Sequence, residues 1–162
     1  MDKNILAETV VRTFRDKNLK LSFAESCTGG LSAATVVSVP GASDIFYGSI
    51  VSYDNSVKEK MLFVDKTVLE TVGAVSEECA MQMARGARKQ LCTDIAVSVT
   101  GIAGPGGGTK EKPVGLVYIG VDSAKSTRAI KLLLGDRGDR TAIREASVCE
   151  MLMAALEEIT KI

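Results

Sequence analysis

Hydrophobic positions along this chain follow two periods in turn. Ile5, Leu6, Val10, Val11 and Phe14 recur at helical spacing with charged residues between them, so an amphipathic, core-covering helix opens the chain and runs to about Lys17. Lys20-Leu21-Ser22-Phe23-Ala24-Glu25 alternates as a strand does. Ser26-Cys27-Thr28-Gly29-Gly30 breaks the alternation, and Leu31 to Val37 resumes with small and apolar residues, which predicts strand, tight glycine turn, helix. Pro40-Gly41-Ala42-Ser43 is a turn, and Gly48 to Tyr53 reads as a second strand. Asp54 and Asn55 are good N-cap types for a helix carrying Val57, Lys58, Met61 and Leu62. A short helix over Thr67 to Val72 follows. Ser76 with Glu77 and Glu78 then starts a long helix whose buried stripe is Ala80, Met83, Ala84, Ala87 and Leu91.

Asp94 to Thr100 is a largely apolar run of the kind buried on both faces of a sheet, and it leads into the glycine-dense segment Gly101 to Gly108. Val114 to Val121 and Thr127 to Leu134 read as two further strands, antiparallel neighbours joined near Asp122-Ser123-Ala124-Lys125. A last helix is predicted from about Asp136 to Ile159, with Ala142, Ile143, Ala146, Cys149, Leu152, Met153 and Leu156 facing inward. Five strands and about five helices in mixed order predict an α/β fold, a three-layer α/β/α sandwich with a mixed, mainly parallel sheet. No linker, low-complexity stretch or repeat divides the 162 residues, so one domain over 1–162 is expected.

Composition narrows the chemistry. Twenty basic and twenty acidic side chains balance, and there is no histidine. The balance argues against a nucleic-acid or membrane-surface protein. The missing imidazole excludes Ser-His-Asp and Cys-His nucleophile pairs and His-ligated metals, so any catalysis must use Ser, Thr, Cys, Tyr, Lys or carboxylates. Cys27, Cys79, Cys92 and Cys149 form no Cys-x-x-Cys pair, which leaves reduced thiols and no metal site as the expectation. Charges interrupt the N-terminal apolar residues, as no signal-peptide core allows, and no run approaches the ~20 apolar residues of a membrane span. A soluble cytoplasmic protein is expected.

In open α/β sheets ligands bind beyond the carboxyl ends of strands. Three junctions qualify: Glu25 to Gly30, Tyr53 to Lys58 and Thr100 to Gly108. If their strands are parallel and adjacent, all three line one cleft. At the first, the hydroxyls of Ser26 and Thr28, the flexible Gly29 and Gly30 and the amides of the next helix make either an anion pocket or an oxyanion hole; a capped turn without a ligand has about equal weight. It is not a Walker loop, because no Gly-Lys-Ser/Thr follows.

Ser26 is a nucleophile only if a base activates it, and Lys58, in the first turn of a predicted helix whose dipole disfavours its charge, is placed for that role. Lys60, Lys66 and Lys89 read as solvated. Tyr53 ends the preceding strand and either relays a proton, orients Lys58 or packs. Cys27 is the rival nucleophile, acidified by a helix N-terminus. The glycine segment fits no dinucleotide fingerprint and is either an anion cradle or a mobile lid, to which Lys110, Glu111 and Lys112 would belong. Arg137, Arg140 and Arg144 share one face near the start of the last helix, as a salt-bridged surface or with the first two capturing phosphate.

The same motifs resemble a known family, the C-terminal domain of the competence/damage-inducible protein CinA, whose members include nicotinamide mononucleotide deamidases. The resemblance spans nearly the whole chain. Its carriers are Ala24 to Gly30, Val39 to Ser43, Tyr53 with Lys58, Gly73 to Ser76, Thr100 to Gly107, Lys112 to Gly115, and Gly138-Asp139-Arg140 with Arg144. In the family this domain often follows a larger N-terminal one, and the present chain looks like the stand-alone form. What the resemblance implies is hydrolysis of nicotinamide mononucleotide to nicotinate mononucleotide and ammonia, without metal or organic cofactor. It makes Ser26 the nucleophile, Lys58 its base and Tyr53 a partner in proton transfer, with Thr28, Gly29, Gly30, Thr100, Gly101 and Arg140 as substrate contacts. A catalytically silent nucleotide- or phosphate-binding module that regulates a partner is the alternative. A homodimer or higher homo-oligomer is the default assembly.

Overall fold

The computed structural model describes residues 2–162. Six helices, α1 (Lys3–Asp16), α2 (Leu31–Val37), α3 (Asn55–Leu62), α4 (Lys66–Thr71), α5 (Glu77–Leu91) and α6 (Arg140–Ile159), pack on five strands, β1 (Leu21–Glu25), β2 (Phe46–Val51), β3 (Ile95–Gly101), β4 (Leu116–Ser123) and β5 (Thr127–Leu133). Strand order is β2-β1-β3-β4-β5. β1 runs parallel to both β2 and β3, whereas β4 is antiparallel to β3 and to β5.

The sheet is therefore mixed and mainly parallel, as expected: β2, β1, β3 and β5 point the same way and β4 alone runs against them. The reversal of β4 has a local reason: residues 102–115, between β3 and β4, form a loop where a parallel return would need a crossover helix. Each predicted strand is present, with β2 beginning two residues earlier than its pattern implied and β4 two residues later.

Helices leave β1 and β2 toward opposite faces. On one face Leu21, Phe23, Val97, Val99 and Ile119 pack against Val10 and Phe14 of α1, Val36 of α2 and Ile143, Met151 and Leu152 of α6. On the other, Ala24 and Ala96 meet Leu62 of α3 and Cys79, Met83 and Ala87 of α5. The two faces differ in bulk for a reason visible in the register. Ala24 pairs with Ser98 and Ser98 with Gly120, a row of small residues across three strands over which α5 lies close. Ser98 Oγ donates to the Ala80 carbonyl at 2.6 Å. A methyl group at Gly120 would stand 2.1 Å from that same carbonyl oxygen and 2.4 Å from Ser98 Oγ. Gly120→Ala is accordingly expected to cost about 1–3 kcal/mol through overpacking; an unchanged urea midpoint would show that α5 can lift off the sheet at no cost.

The last helix departs from its prediction in start and phase. Gly135–Arg137 is a 3-10 turn, Gly138 takes φ +126°, and Asp139 caps α6 by accepting from the Ala142 amide at 2.9 Å. Two aspartates of cap type stood in competition, and a left-handed glycine between them gives the role to the second. The face turned fully inward carries Ile143, Ser147, Val148, Met151, Leu152, Ala155 and Glu158, while Ala142, Ala146, Cys149, Met153 and Leu156 are only half-buried. Glu158 explains the rotation. Its carboxylate accepts from Ser123 Oγ (2.7 Å), Ser126 Oγ (2.9 Å) and Arg128 Nε (3.3 Å), tying α6 to the β4–β5 hairpin, a buried polar role that an apolar count passes over.

Candidate active site

The chain moves from β1 to β2 on one side and then to β3 on the other, so β1 is where the strand order reverses. A crevice at its carboxyl end is the expected consequence. It is present as a cleft of about 280 Å³ lined by residues of all three junctions, among them Ser26, Tyr53, Lys58, Thr100, Gly101 and Arg140. The condition set in the sequence, that the three strands be adjacent and parallel, is met.

Ser26 follows β1 directly, and its amide is tied to the Val99 carbonyl of β3 at 3.0 Å. Lys58 reaches it from α3, which starts where Asp54 Oδ1 accepts from the Ser56 amide at 2.8 Å. Lys58 Nζ stands 3.0 Å from Ser26 Oγ, 2.7 Å from the Ser52 carbonyl and 3.1 Å from the Tyr53 carbonyl. The side chain is 1% exposed and has no carboxylate partner among the described residues. Burial lowers its pKa below the ordinary lysine range, against smaller opposing effects of Cys79, Cys27 and Asp54. Of the causes the sequence allowed, burial, neighbouring charge and the helix dipole, desolvation by burial is the largest. In the neutral amine two N–H groups stay on the two carbonyls and the lone pair faces Ser26 Oγ, which is the geometry of a general base.

Tyr53 contributes to this arrangement through its backbone. Its side chain is 63% exposed, and its hydroxyl accepts from Arg140 Nη2 at 3.2 Å at the mouth of the cleft. Arg140 Nη1 donates to the Gly104 carbonyl at 2.7 Å, so one guanidinium links α6, the glycine loop and the end of β2. Thr100 is buried and donates its hydroxyl to the Ala74 carbonyl at 2.8 Å. Gly101 must be glycine for packing: a Cβ there would meet Val117 Cγ2 at 2.7 Å and the Leu116 carbonyl at 2.8 Å. Lys112 Nζ donates to the Val72 and Val75 carbonyls and anchors the far end of the loop.

Three predicted contacts lie elsewhere. Thr28, Gly29 and Gly30 do not line the cleft, because the helix N-terminus they belong to is occupied from inside the protein. Glu25, fully buried, accepts from Thr28 Oγ1 (2.6 Å), the Gly30 amide (3.1 Å), the Ser32 amide (3.0 Å), the Ala33 amide (3.0 Å) and Ser49 Oγ (3.0 Å). An anion site is indeed built there, and a carboxylate of the chain fills it. The Gly29 amide donates to Ser26 O and the Gly30 amide to Glu25, while the Cys27 and Thr28 amides have no backbone acceptor among the described residues. Arg137 is also apart, exposed beside Asp136.

Cys27 lines the cleft yet is 6% exposed, and burial pushes its thiol up to about 11, outweighing its own amide and Arg144. The helix N-terminus that would have acidified it is neutralised by Glu25. Burial therefore removes the acidified thiolate on which the Cys27 alternative depended. Among the described residues no group of three or more Cys, Asp or Glu side chains is arranged to hold a metal ion, and no helix is long and apolar enough to cross a membrane.

Fold and site together define a three-layer α/β/α domain with a buried serine–lysine pair at the point where its strand order reverses. The chain belongs to the CinA C-terminal domain family, whose profile matches residues 3–161. It is 51% identical over 141 residues to a CinA-like protein of Dictyoglomus turgidum, covering 86% of this chain and 33% of that protein. It is 46% identical over 157 residues to a putative competence-damage inducible protein of Clostridium perfringens, covering 97% and 38%. The chain thus spans about a third of the length of the curated relatives it matches. Among solved structures, the competence/damage inducible protein CihA from Agrobacterium tumefaciens superposes with a TM-score of 0.94 at 40% identity over 99% of this chain and 96% of that one. A CinA superfamily protein from Klebsiella pneumoniae gives the same TM-score at 26% identity over the full length of both chains.

Proposed function

We propose that this domain is a serine amidohydrolase acting on the carboxamide of nicotinamide mononucleotide. The observation that carries the reading is the 3.0 Å approach of Lys58 Nζ to Ser26 Oγ in a buried setting that favours the neutral amine. The substrate follows from the family resemblance. Ser26 Oγ attacks the carboxamide carbon while Lys58 takes the hydroxyl proton. Collapse of the tetrahedral adduct breaks the C–N bond, Lys58 returns the proton to the departing nitrogen, and ammonia leaves. Water then attacks the nicotinoyl ester with Lys58 again as base, releasing nicotinate mononucleotide and restoring Ser26. The amide of Cys27, the residue of this turn after Ser26 that lines the cleft, is the donor assigned to the oxyanion. Arg140, at the mouth, is the cation suited to the nucleotide phosphate.

Purified protein is expected to release ammonia and nicotinate mononucleotide in equal amounts from nicotinamide mononucleotide without added metal, read by a coupled ammonia assay. Tight binding of the nucleotide with no ammonia would favour the silent binding module instead.

A further inference from the structure

The resemblance makes Thr100 a substrate contact without saying what it reads, and it leaves the motif Gly73 to Ser76 without a task. Register places Thr100 beside the nucleophile. Glu25 of β1 pairs with Val99 of β3, and the Ser26 amide continues the ladder to the Val99 carbonyl at 3.0 Å, so Ser26 and Thr100 are the next neighbours in line. Adjacent strands lie about 4.8 Å apart, and residues at one register share a face. That face is the one covered by α3 and α5. Ala24, two residues before Ser26, packs on α5; Ser98, two residues before Thr100, bonds to Ala80 of α5; and Ser26 Oγ meets Lys58 of α3. Ser26, Thr100 and Ala74 all line the cleft.

The hydroxyl at this place has a fixed polarity. A threonine hydroxyl carries one proton and two lone pairs. Thr100 gives its proton to the Ala74 carbonyl at 2.8 Å, and that carbonyl accepts from no other group among the described residues. The turn that carries it is held on both sides: Lys112 Nζ donates to the Val72 and Val75 carbonyls, and Ser76 Oγ donates to that of Gly73. Turning the hydroxyl toward an acceptor on a ligand would leave the Ala74 carbonyl without its donor, at the cost of a hydrogen bond. What Thr100 offers beside Ser26 is therefore an acceptor only.

Among the neutral groups that can seat a carbonyl carbon at Ser26 Oγ, an amide has an N–H to give such an acceptor, whereas an ester or a ketone has none. We infer that Thr100 is a specificity-determining residue whose Oγ1 accepts an N–H of a primary carboxamide and so selects it over groups of the same shape that carry no N–H. The inference rests on the amidohydrolase reading above. It also fits the chemistry of departure. Holding one N–H leaves the nitrogen lone pair of the tetrahedral adduct free for the proton that Lys58 returns, a proton Thr100 does not have to spare.

The test compares nicotinamide mononucleotide with its methyl-ketone analogue, in which an acetyl group replaces the carboxamide, so that shape and charge are kept and only the N–H groups are lost. Affinities are read by calorimetry on Ser26→Ala, in which turnover is blocked. The carboxamide is expected to bind at least about tenfold more tightly than the ketone. In Ser26→Ala/Thr100→Val that lead is expected to shrink to within about threefold, and in Ser26→Ala/Thr100→Ser to be kept. Ammonia release by wild type is measured alongside. Wild type that releases none overturns the reading of the site, and this role with it. With an active wild type, a lead below about tenfold in Ser26→Ala overturns the role of Thr100 alone, as does a lead that stays above about threefold after Thr100→Val. So does a Thr100→Val protein that loses affinity for both ligands equally, the mark of a structural role, or a Thr100→Ser protein without the lead. Should Thr100→Val fail to fold, Thr100→Cys, whose thiol is a weak acceptor, takes its place under the same criteria.

Discussion

Ser26→Ala is expected to reduce ammonia release from nicotinamide mononucleotide by on the order of 10⁴-fold or more, and Lys58→Met by about 10²–10⁴-fold, with the variants still folded. The two losses should not add, because in the proposed reaction Lys58 serves only by moving the Ser26 proton across the 3.0 Å that separates them; the double variant should be no worse than Ser26→Ala. The pH profile identifies the base. Lys58 must be neutral to accept a proton, and burial lowers its pKa, so activity rises with pH through that lowered value. The limb must vanish from the residual rate of Lys58→Met; a limb that persists there would mean another base. Stability changes in the same direction. Between the lowered folded pKa and the ordinary 10.5 of the unfolded chain, the unfolded state binds the extra proton. Wild type therefore gains stability relative to Lys58→Met as pH rises through that window and loses it as pH falls. Urea unfolding of both proteins at several pH values reads the sign directly.

Much of this site could be located before the fold was seen, and the reason is chemical. Once histidine is absent, a serine at a strand-to-glycine junction has few activators, and Lys58 follows a second junction at a cap that sequence alone makes plain. Adjacent parallel strands then bring the two together. Glu25 escaped for an equally physical reason. It ends an alternating strand, where a carboxylate looks like an ordinary solvated terminus, and only the third dimension shows five donors converging on it. The signal was available in the helix that follows: α2 begins after Gly30 with no side-chain cap of its own, so its free amides needed an acceptor from elsewhere. The phase of α6 was missed through Glu158 in the same way. Buried carboxylates with full hydrogen-bond complements are invisible to hydrophobic periodicity, and here they set both the helix rotation and the platform under the nucleophile. Tyr53 shows the converse limit. It lines the cleft, yet its contact with Lys58 runs through the carbonyl, which any residue type would supply.

Glu25→Ala is expected to destabilise the protein by about 3–5 kcal/mol, the range for stripping a buried charged partner from its hydrogen bonds. Three amides of the first turn of α2 lose their only acceptor, and two hydroxyls, on Thr28 and Ser49, lose theirs, in a place that water does not reach. Glu25→Gln keeps the shape and one acceptor oxygen but turns an amide nitrogen toward donors, so its cost should be smaller than that of alanine and still clear of error. Activity should fall with both, because Ser26 is the next residue and the Ser26–Gly29 bond of the turn depends on the helix start that Glu25 holds. The urea midpoints should rank wild type above Glu25→Gln above Glu25→Ala. Equal midpoints would mean that α2 starts without an internal anion. A Glu25→Ala protein that is stable and also gains affinity for inorganic phosphate would mean that the carboxylate excludes a ligand from this end of the helix. Loss of stability without such a gain identifies Glu25 as the fixed counter-charge of the helix start beneath Ser26.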